Sequence, residues 1–233
     1  MARLPRLYVP GCSHHIIQRG NNRNACFFDS RDYAFYLQQL ALSAEQFSVA
    51  IHAFVLMTNH VHLLVTPSDA IGCGKMMQSL GRKYVRYVNL TYRRSGTLWE
   101  GRYKSTLVDS EKYFLTVSRY IELNPVRAKM VLSPDEYRWS SYRSNAMGKK
   151  IQLLTRHDCY LSLGDNDSQR LLNYRHLFAD EIAPGTVADI RECTNKSWVL
   201  GSERFKKEIA TVVNRQVESK GWGGDRRSRS LTP

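Results

Sequence analysis

Residues 51 to 66, IHAFVLMTNHVHLLVT, constrain this chain more than any other stretch. Two runs rich in large and β-branched apolar residues flank Thr58-Asn59. That pattern predicts a β-hairpin with strands from Ile51 to Met57 and from His60 to Thr66. An isolated hairpin is at best marginally stable in water, so the rest of the chain must cover it. Strand side chains alternate between faces. His60 and His62 therefore point the same way, about 7 Å apart, while Val61 points the other way. A strand otherwise built for a core carries two imidazoles on one face, either as half-exposed surface groups or as ligands.

The flanking sequence supplies the partners. His14-His15-Ile16-Ile17-Gln18-Arg19 alternates as a strand and stops at Gly20-Asn21-Asn22, a turn signal. Ser30 reads as the N-cap of a helix with Tyr33, Leu37, Leu40, Ala44 and Phe47 along one apolar stripe. Residues 73 to 92 form a second helix with Met77, Leu80, Tyr84 and Val88 inward. Its other side carries Arg82, Arg86, Asn89 and Arg93, a spacing that also suits an ordinary solvated face. After the break at Gly96 to Gly101, Arg102 to Val108 reads as a fourth strand. Asp109 or Ser110 then caps a third helix that stops near Leu123, ahead of Pro125. The order β-α-β-β-α-β-α predicts an α+β fold: a ferredoxin-like split β-α-β antiparallel sheet with helices on one face. The domain occupies residues 1–148. A helical C-terminal extension follows over 149–215, and residues 216–233, ending GWGGDRRSRSLTP, read as a flexible basic tail.

Charge narrows the function. Thirty-four Lys and Arg against 21 Asp and Glu leave a net +13, with a pI near 9.7. A domain this basic suits a polyanion, most commonly nucleic acid. The 13 tyrosines and four tryptophans offer rings for unpaired bases. The five cysteines are scattered with no C-x-x-C pair, which argues against a disulfide framework or zinc knuckle and for a reducing compartment. No apolar run approaches the roughly 18 residues of a membrane span, and the N-terminus has no signal-like apolar core. The expected location is the cytoplasm, at the nucleoid.

Two imidazoles with open positions beside them suit a catalytic divalent metal better than a structural one. In the third predicted helix, Tyr120 and Asn124 are four residues apart and share a face. Tyr120 also fits a core aromatic, and Asn124 also fits an N-cap ahead of Pro125. A phenol, with a reference pKa near 10, needs activation to attack at neutral pH, and a metal-polarised phosphate lowers that demand. His52 on the neighbouring strand reads as structural. For nucleic-acid contact the candidates are Arg19, Asn21, Asn22 and Arg23 in the first loop, the Arg82, Arg86, Arg93 stripe, and Arg102 and Lys104. The cations would hold phosphates and the carboxamides would read base edges.

MTNHVHLLVTP, LWEGRYKS and RYIELNPVRA, in that order, resemble the single-tyrosine transposases of the HUH endonuclease superfamily, and most of all the branch of REP-associated tyrosine transposases. The resemblance spans residues 5 to 145 closely and continues more loosely through CYLSLG, YRHLF and WVLGSERF. It implies that His60 and His62 hold Mg²⁺ or Mn²⁺, and that Tyr120 attacks a phosphodiester of single-stranded DNA. A 5′-phosphotyrosine link and a free 3′-hydroxyl result. Asn124 stands where many relatives place a Gln as third ligand. Members of this branch act on repetitive extragenic palindromes that fold into hairpins, and they tend to act as monomers, whereas other relatives are dimers. The rivals are a non-cutting hairpin binder, an RNA-binding module, and a metal-dependent nuclease that uses water. The strands lack the aromatic run an RNA-recognition sheet displays, which counts against the second of these.

Overall fold

The computed structural model describes residues 6–213 and 216–218; the rest of the expected tail, 219–233, lies outside the described residues. The hairpin forms as the alternation requires. Strand β1 (Ser13–Arg19) is followed by helix α1 (Ser30–Gln46), the hairpin strands β2 (Val49–Met57) and β3 (His60–Pro67), and helix α2 (Gly72–Thr91). Strand β4 (Lys104–Val108) and helix α3 (Ser110–Glu122) come next. The strands form one sheet in the order β2-β3-β1-β4, and every neighbouring pair is antiparallel. The α+β class and the split β-α-β order are those read from the sequence.

The register sorts side chains into two sets. Arg19 lies opposite His60 and Ile17 opposite His62, Met57 opposite His60 and Val55 opposite His62, and Lys104 opposite Ile17. All of these share the histidine face. Val61, Leu63 and Val65 point the other way and pack with Tyr36 and Leu40 of α1 and Met76, Leu80 and Tyr84 of α2. Contrary to the expectation from the sequence, the helices do not keep to one face. α3 covers the histidine side, with Phe114, Val117, Tyr120 and Ile121 against Ala53, Val55, Met57 and Leu64. An amphipathic stripe says that a helix buries one side; it does not say on which face of a sheet.

Local details differ from expectation for identifiable reasons. Asp29, not Ser30, caps α1, in a capping box completed by Asp32 three residues on. Asp109 does stand at the N-cap position of α3, but its side chain makes no cap there. It accepts instead from the backbone N–H and hydroxyl of Ser202. The β2–β3 register shifts between Ile51 and Ala53, so His52 sits at a bulge. Its ring nitrogens meet the Thr155 carbonyl at 2.7 Å and the Thr66 hydroxyl at 2.9 Å, which is the structural role foreseen for it.

After α3 the chain makes the short helices α4 (Asn124–Arg127), α5 (Tyr142–Asn145) and α6 (Asp158–Leu161). Helices α7 (Asp167–His176), α8 (Pro184–Lys196) and α9 (Glu203–Val212) follow. Tyr142, Ala146, Tyr160 and Tyr174 form their own apolar cluster, with Leu115 of α3 packed against it. α8 folds back against β4 and β1 and adds Ile190 to the core under α3.

Candidate active site

Strand alternation delivers His60 and His62 to the face that α3 covers, and α3 lays Tyr120 across them. The His62 and Tyr120 ring centroids are 5.8 Å apart and nearly perpendicular; those of His60 and His62 are 5.1 Å apart. A cleft of about 880 Å³ opens between sheet and helices. It is lined by His60, His62, Tyr120 and Asn124 and by residues the sequence did not single out, among them His15, Arg127 and Thr194. The two candidate ligands, the candidate nucleophile and Asn124 are thus brought together.

Positions 120, 124 and 127 fall on one side of the helical path at steps of four and three. Asn124 does not cap the segment that follows. Its amide Nδ2 donates back to the carbonyls of Tyr120 at 3.0 Å and Ile121 at 3.3 Å, which satisfies the frayed end of α3. Its donor end is thereby committed, and its carboxamide oxygen remains for another use. Arg127 donates Nη2 to the Tyr120 carbonyl at 2.7 Å, and its guanidinium carbon lies 4.2 Å over the Tyr120 ring centre. Its Nε and Nη1 are buried with no hydrogen-bond partner among the described residues. Burial lowers the Arg127 pKa from its ordinary value.

The imidazoles are held neutral. Burial, reinforced by the charge of Arg19, pulls His60 down to about 4. Burial and the nearby Arg127 pull His15 down to about 3. Burial, then the charges of His15, His60, Arg127 and Arg19, holds His62 well below the usual histidine range. A neutral imidazole has one N–H, so hydrogen bonds decide which nitrogen keeps a lone pair. Asn59 donates its amide to the Arg23 carbonyl at 2.9 Å, which turns its carboxamide oxygen to His60 Nδ1 at 2.6 Å. His60 therefore carries its proton on Nδ1 and presents Nε2. His62 Nδ1 lies 2.8 Å from His15 Nε2. Neutral imidazoles with their outer nitrogens occupied are the form in which histidine binds a metal. No group of three or more His, Cys, Asp and Glu suited to a metal occurs among the described residues. The available donors are thus two imidazoles and the Asn124 carboxamide, a set that fits a divalent cation with open positions.

The expected DNA-contact residues separate into two regions. Arg19, Arg102 and Lys104 line a second hollow of about 320 Å³, with Glu100 and Asn195, and Arg19 and Asn195 also line the active-site cleft. Asn21 to Arg23 form a 3-10 turn in which Asn22 and Arg23 take positive φ values of 52° and 59°. The Asn59 bond to Arg23 fastens this turn beside His60. Arg82 and Arg86, by contrast, are exposed on α2, across the sheet from the histidines. Asn89 is engaged with the Gly96 carbonyl at 3.2 Å. Arg93 falls beyond the end of α2, at φ 49°, and so does not extend the stripe along the helix.

A buried phenol set against paired neutral imidazoles, on an antiparallel sheet with a basic rim, has the layout of a nucleic-acid-processing site. The comparisons with known proteins agree. The family model "Transposase IS200 like" matches residues 8–124, from the strand β1 approach through Tyr120 to Asn124. The chain belongs to this family. Its fold is similar to that of a solved REP-associated tyrosine transposase bound to a REP hairpin, at 15% identity and a TM-score of 0.56 over 72% of this chain and 96% of that one. It also matches a Deinococcus radiodurans R1 protein assigned as a transposase, at 24% identity and a TM-score of 0.37, over 52% of this chain and 96% of that one. No curated protein matches the chain.

Proposed function

We propose that this transposase is a metal-dependent endonuclease and strand transferase of the REP-associated type, acting on single-stranded DNA that folds into hairpins. One observation carries the reading: the rings of Tyr120 and His62 meet in one cleft, with their centroids 5.8 Å apart. The fold neighbour whose structure contains a REP hairpin supports the choice of substrate. His60 and His62, with the Asn124 carboxamide oxygen, would hold Mg²⁺ or Mn²⁺, which supplies Lewis-acid polarisation of the scissile phosphate.

The chain's own residues supply the rest. Tyr120 Oη forms a bond to phosphorus as the bond from phosphorus to the 3′-oxygen breaks. The proton the phenol gives up passes by way of solvent to the leaving oxygen, so the step ends with a free 3′-hydroxyl and a 5′-phosphotyrosine. Attack by another 3′-hydroxyl reverses the step and rejoins strands without ATP, because the phosphodiester's energy is kept in the link. Arg127, stacked on the Tyr120 ring with two unpaired nitrogens, places fixed positive charge where the reaction builds negative charge. Arg19 and Lys104 at the rim hold backbone phosphates. The protein acts as a monomer, in the cytoplasm at the nucleoid; no helix of the described residues is long and apolar enough to cross a membrane.

The test is a covalent adduct. Wild type with a labelled hairpin and Mn²⁺ is expected to give a species that survives SDS and disappears on proteolysis. EDTA should abolish it. Tyr120→Phe keeps the ring and its packing, and should bind the hairpin with near wild-type affinity while forming no adduct; Tyr103→Phe and Tyr113→Phe should still form it. Cutting by Tyr120→Phe at the wild-type rate would favour a water-using nuclease, and tight binding without any adduct would favour the non-cutting binder.

A further inference from the structure

Thr194 belongs to α8, deep in the C-terminal extension, yet it lines the cleft and is 3% exposed. Its hydroxyl hydrogen is committed: Thr194 Oγ1 donates to the Ile190 carbonyl of the preceding helical turn at 2.6 Å. Towards His15 Nδ1, 3.0 Å away, the oxygen can only accept. A neutral His15 must then carry its proton on Nδ1, which leaves Nε2 as an acceptor. The only donor that fits the 2.8 Å approach of His62 is an Nδ1–H. The proton order runs from an α8 backbone carbonyl through Thr194 and His15 to His62, and it ends with a lone pair on His62 Nε2.

We propose that Thr194 and His15 are positioning residues that set the tautomer of His62, so that the extension helix α8 is a working part of the metal site. This rests on the reading of His62 as a ligand. The arrangement has a definite alternative. If Thr194 cannot accept, His15 gains by moving its proton to Nε2 and donating to His62 Nδ1. That puts the His62 proton on Nε2, where it blocks a metal. Two groups that do not touch the metal thereby decide whether the ligand is open. His60 has a local substitute for such a chain in Asn59, its own sequence neighbour. His62 depends on a hydrogen bond that spans 179 residues.

The experiment uses the full chain without DNA. Mn²⁺ binding is followed by electron paramagnetic resonance, and the histidine tautomers of the metal-free protein by ¹⁵N NMR at neutral pH. Wild type should show His62 with its proton on Nδ1. Thr194→Val, close in shape but without an acceptor, should shift His62 towards the Nε2–H form and weaken Mn²⁺ binding by roughly 10- to 100-fold, the usual effect of losing the group behind a ligand. Thr194→Ser, which restores the oxygen, should recover both signals. His15→Phe keeps a stacked ring, removes the acceptor, and should weaken binding to the same degree. The proposal is overturned if wild-type His62 carries its proton on Nε2, or if Thr194→Val leaves both tautomer and Mn²⁺ affinity unchanged. Wild type with the expected tautomer but no Mn²⁺ binding would instead uphold the proton order and sink the metal reading of the site.

Discussion

The two faces of the sheet are made by the same strands and do different work. Along β3, Val61, Leu63 and Val65 are fully buried among α1 and α2, where apolar packing is the main source of stability. Their neighbours His60 and His62 face α3 and α8 with two further polar groups, Tyr120 and Arg127, around an open cleft. The first face has its own orphans, with His14 Nε2, Gln18 Oε1, the Tyr36 hydroxyl and Trp99 Nε1 buried without a hydrogen-bond partner among the described residues, but its buried carboxylate is fully satisfied. Asp32, fully buried, accepts from the backbone N–H of Phe28 and Asp29 and from the phenols of Tyr87 and Tyr92. On the second face, donors and lone pairs are left over: Arg127 Nε and Nη1, His60 Nε2 and His62 Nε2. Buried polar groups without partners cost stability on either face; what sets the second face apart is that its spare donors and lone pairs belong to residues lining a cleft that a ligand can enter.

Adjacent substitutions on β3 should break this symmetry most sharply. His62→Ala is expected to reduce adduct formation more than about 100-fold, beyond what losing a group behind a metal ligand costs, while the protein still melts cooperatively. Leu63→Ala, one residue away on the other face, should cost about 3 kcal/mol of stability through reduced burial and a cavity. The surviving folded protein should form adduct at close to the wild-type rate. Urea unfolding and adduct yield, measured on both variants, separate the faces. If Leu63→Ala were as inactive as His62→Ala while folded, the division of labour would be wrong.

The next effect is a pH dependence, whose largest single contribution comes from the chemical side. Glu122, at the end of α3, is fully buried. It accepts from Ser141 at 2.5 Å, Asn145 at 2.9 Å and Tyr174 at 2.8 Å, and so ties α3 to α5 and α7. Burial outweighs these three donors and raises its pKa from 4.5 to about 7. In that window the folded protein keeps a proton that the unfolded chain gives up, so this group's contribution to stability falls as pH rises from 4.5 to 7 and levels off above it. The size is about 3 kcal/mol. The buried histidines work the other way. His14, His52 and His60, held near 4 by burial, are neutral in the fold where the unfolded chain takes protons, so their contribution rises between about pH 4 and 6.5. The difference between wild type and Glu122→Gln isolates the carboxyl. The variant should match wild type near pH 5 and be the more stable of the two at about pH 8, above the Glu122 titration. Equal stability curves in urea at both pH values would show that Glu122 carries no such burden.

The sequence makes one face far more legible than the other. Alternation over 51 to 66 fixes the hairpin and the direction of both histidines, and helical spacing places Tyr120 with Asn124. The same spacing carried three residues further reaches Arg127, and pairing the alternating strand at His14 to Arg19 with β3 puts His15 beside His62. Both signals are present, but they become specific only once the register is known. Other features have no local signature. Thr194 meets His15 across 179 residues, and nothing in CTNKS marks it. The bulge at His52 depends on Thr155 arriving from the extension. Which face α3 takes is settled by how its apolar side fits Ala53, Val55 and Leu64, a matter of packing that periodicity does not encode.

The smallest expected effect concerns the cations on the two sides. Arg19 and Lys104 line the hollow beside the active-site cleft, whereas Arg82 and Arg86 are exposed on α2 across the sheet. If both pairs touch DNA, they touch different parts of it. Each phosphate left without its cation should reduce the slope of log affinity against log salt by about 0.9 on duplex and about 0.7 on a single strand. Removing both cations in Arg82→Ala/Arg86→Ala should therefore lower the slope for hairpin binding by up to about 1.8. It should leave the rate of adduct formation at saturating DNA unchanged, because neither side chain faces the reacting phosphate. Arg19→Ala should change the slope less and that rate more, since Arg19 lies directly opposite His60 in the sheet. An unchanged slope in the α2 double variant would reduce its arginines to a solvated face. A fall in its saturated rate would mean that DNA bound on the far face reaches the chemistry, and the two faces would then have to be treated as one binding surface wrapped around the β4 edge.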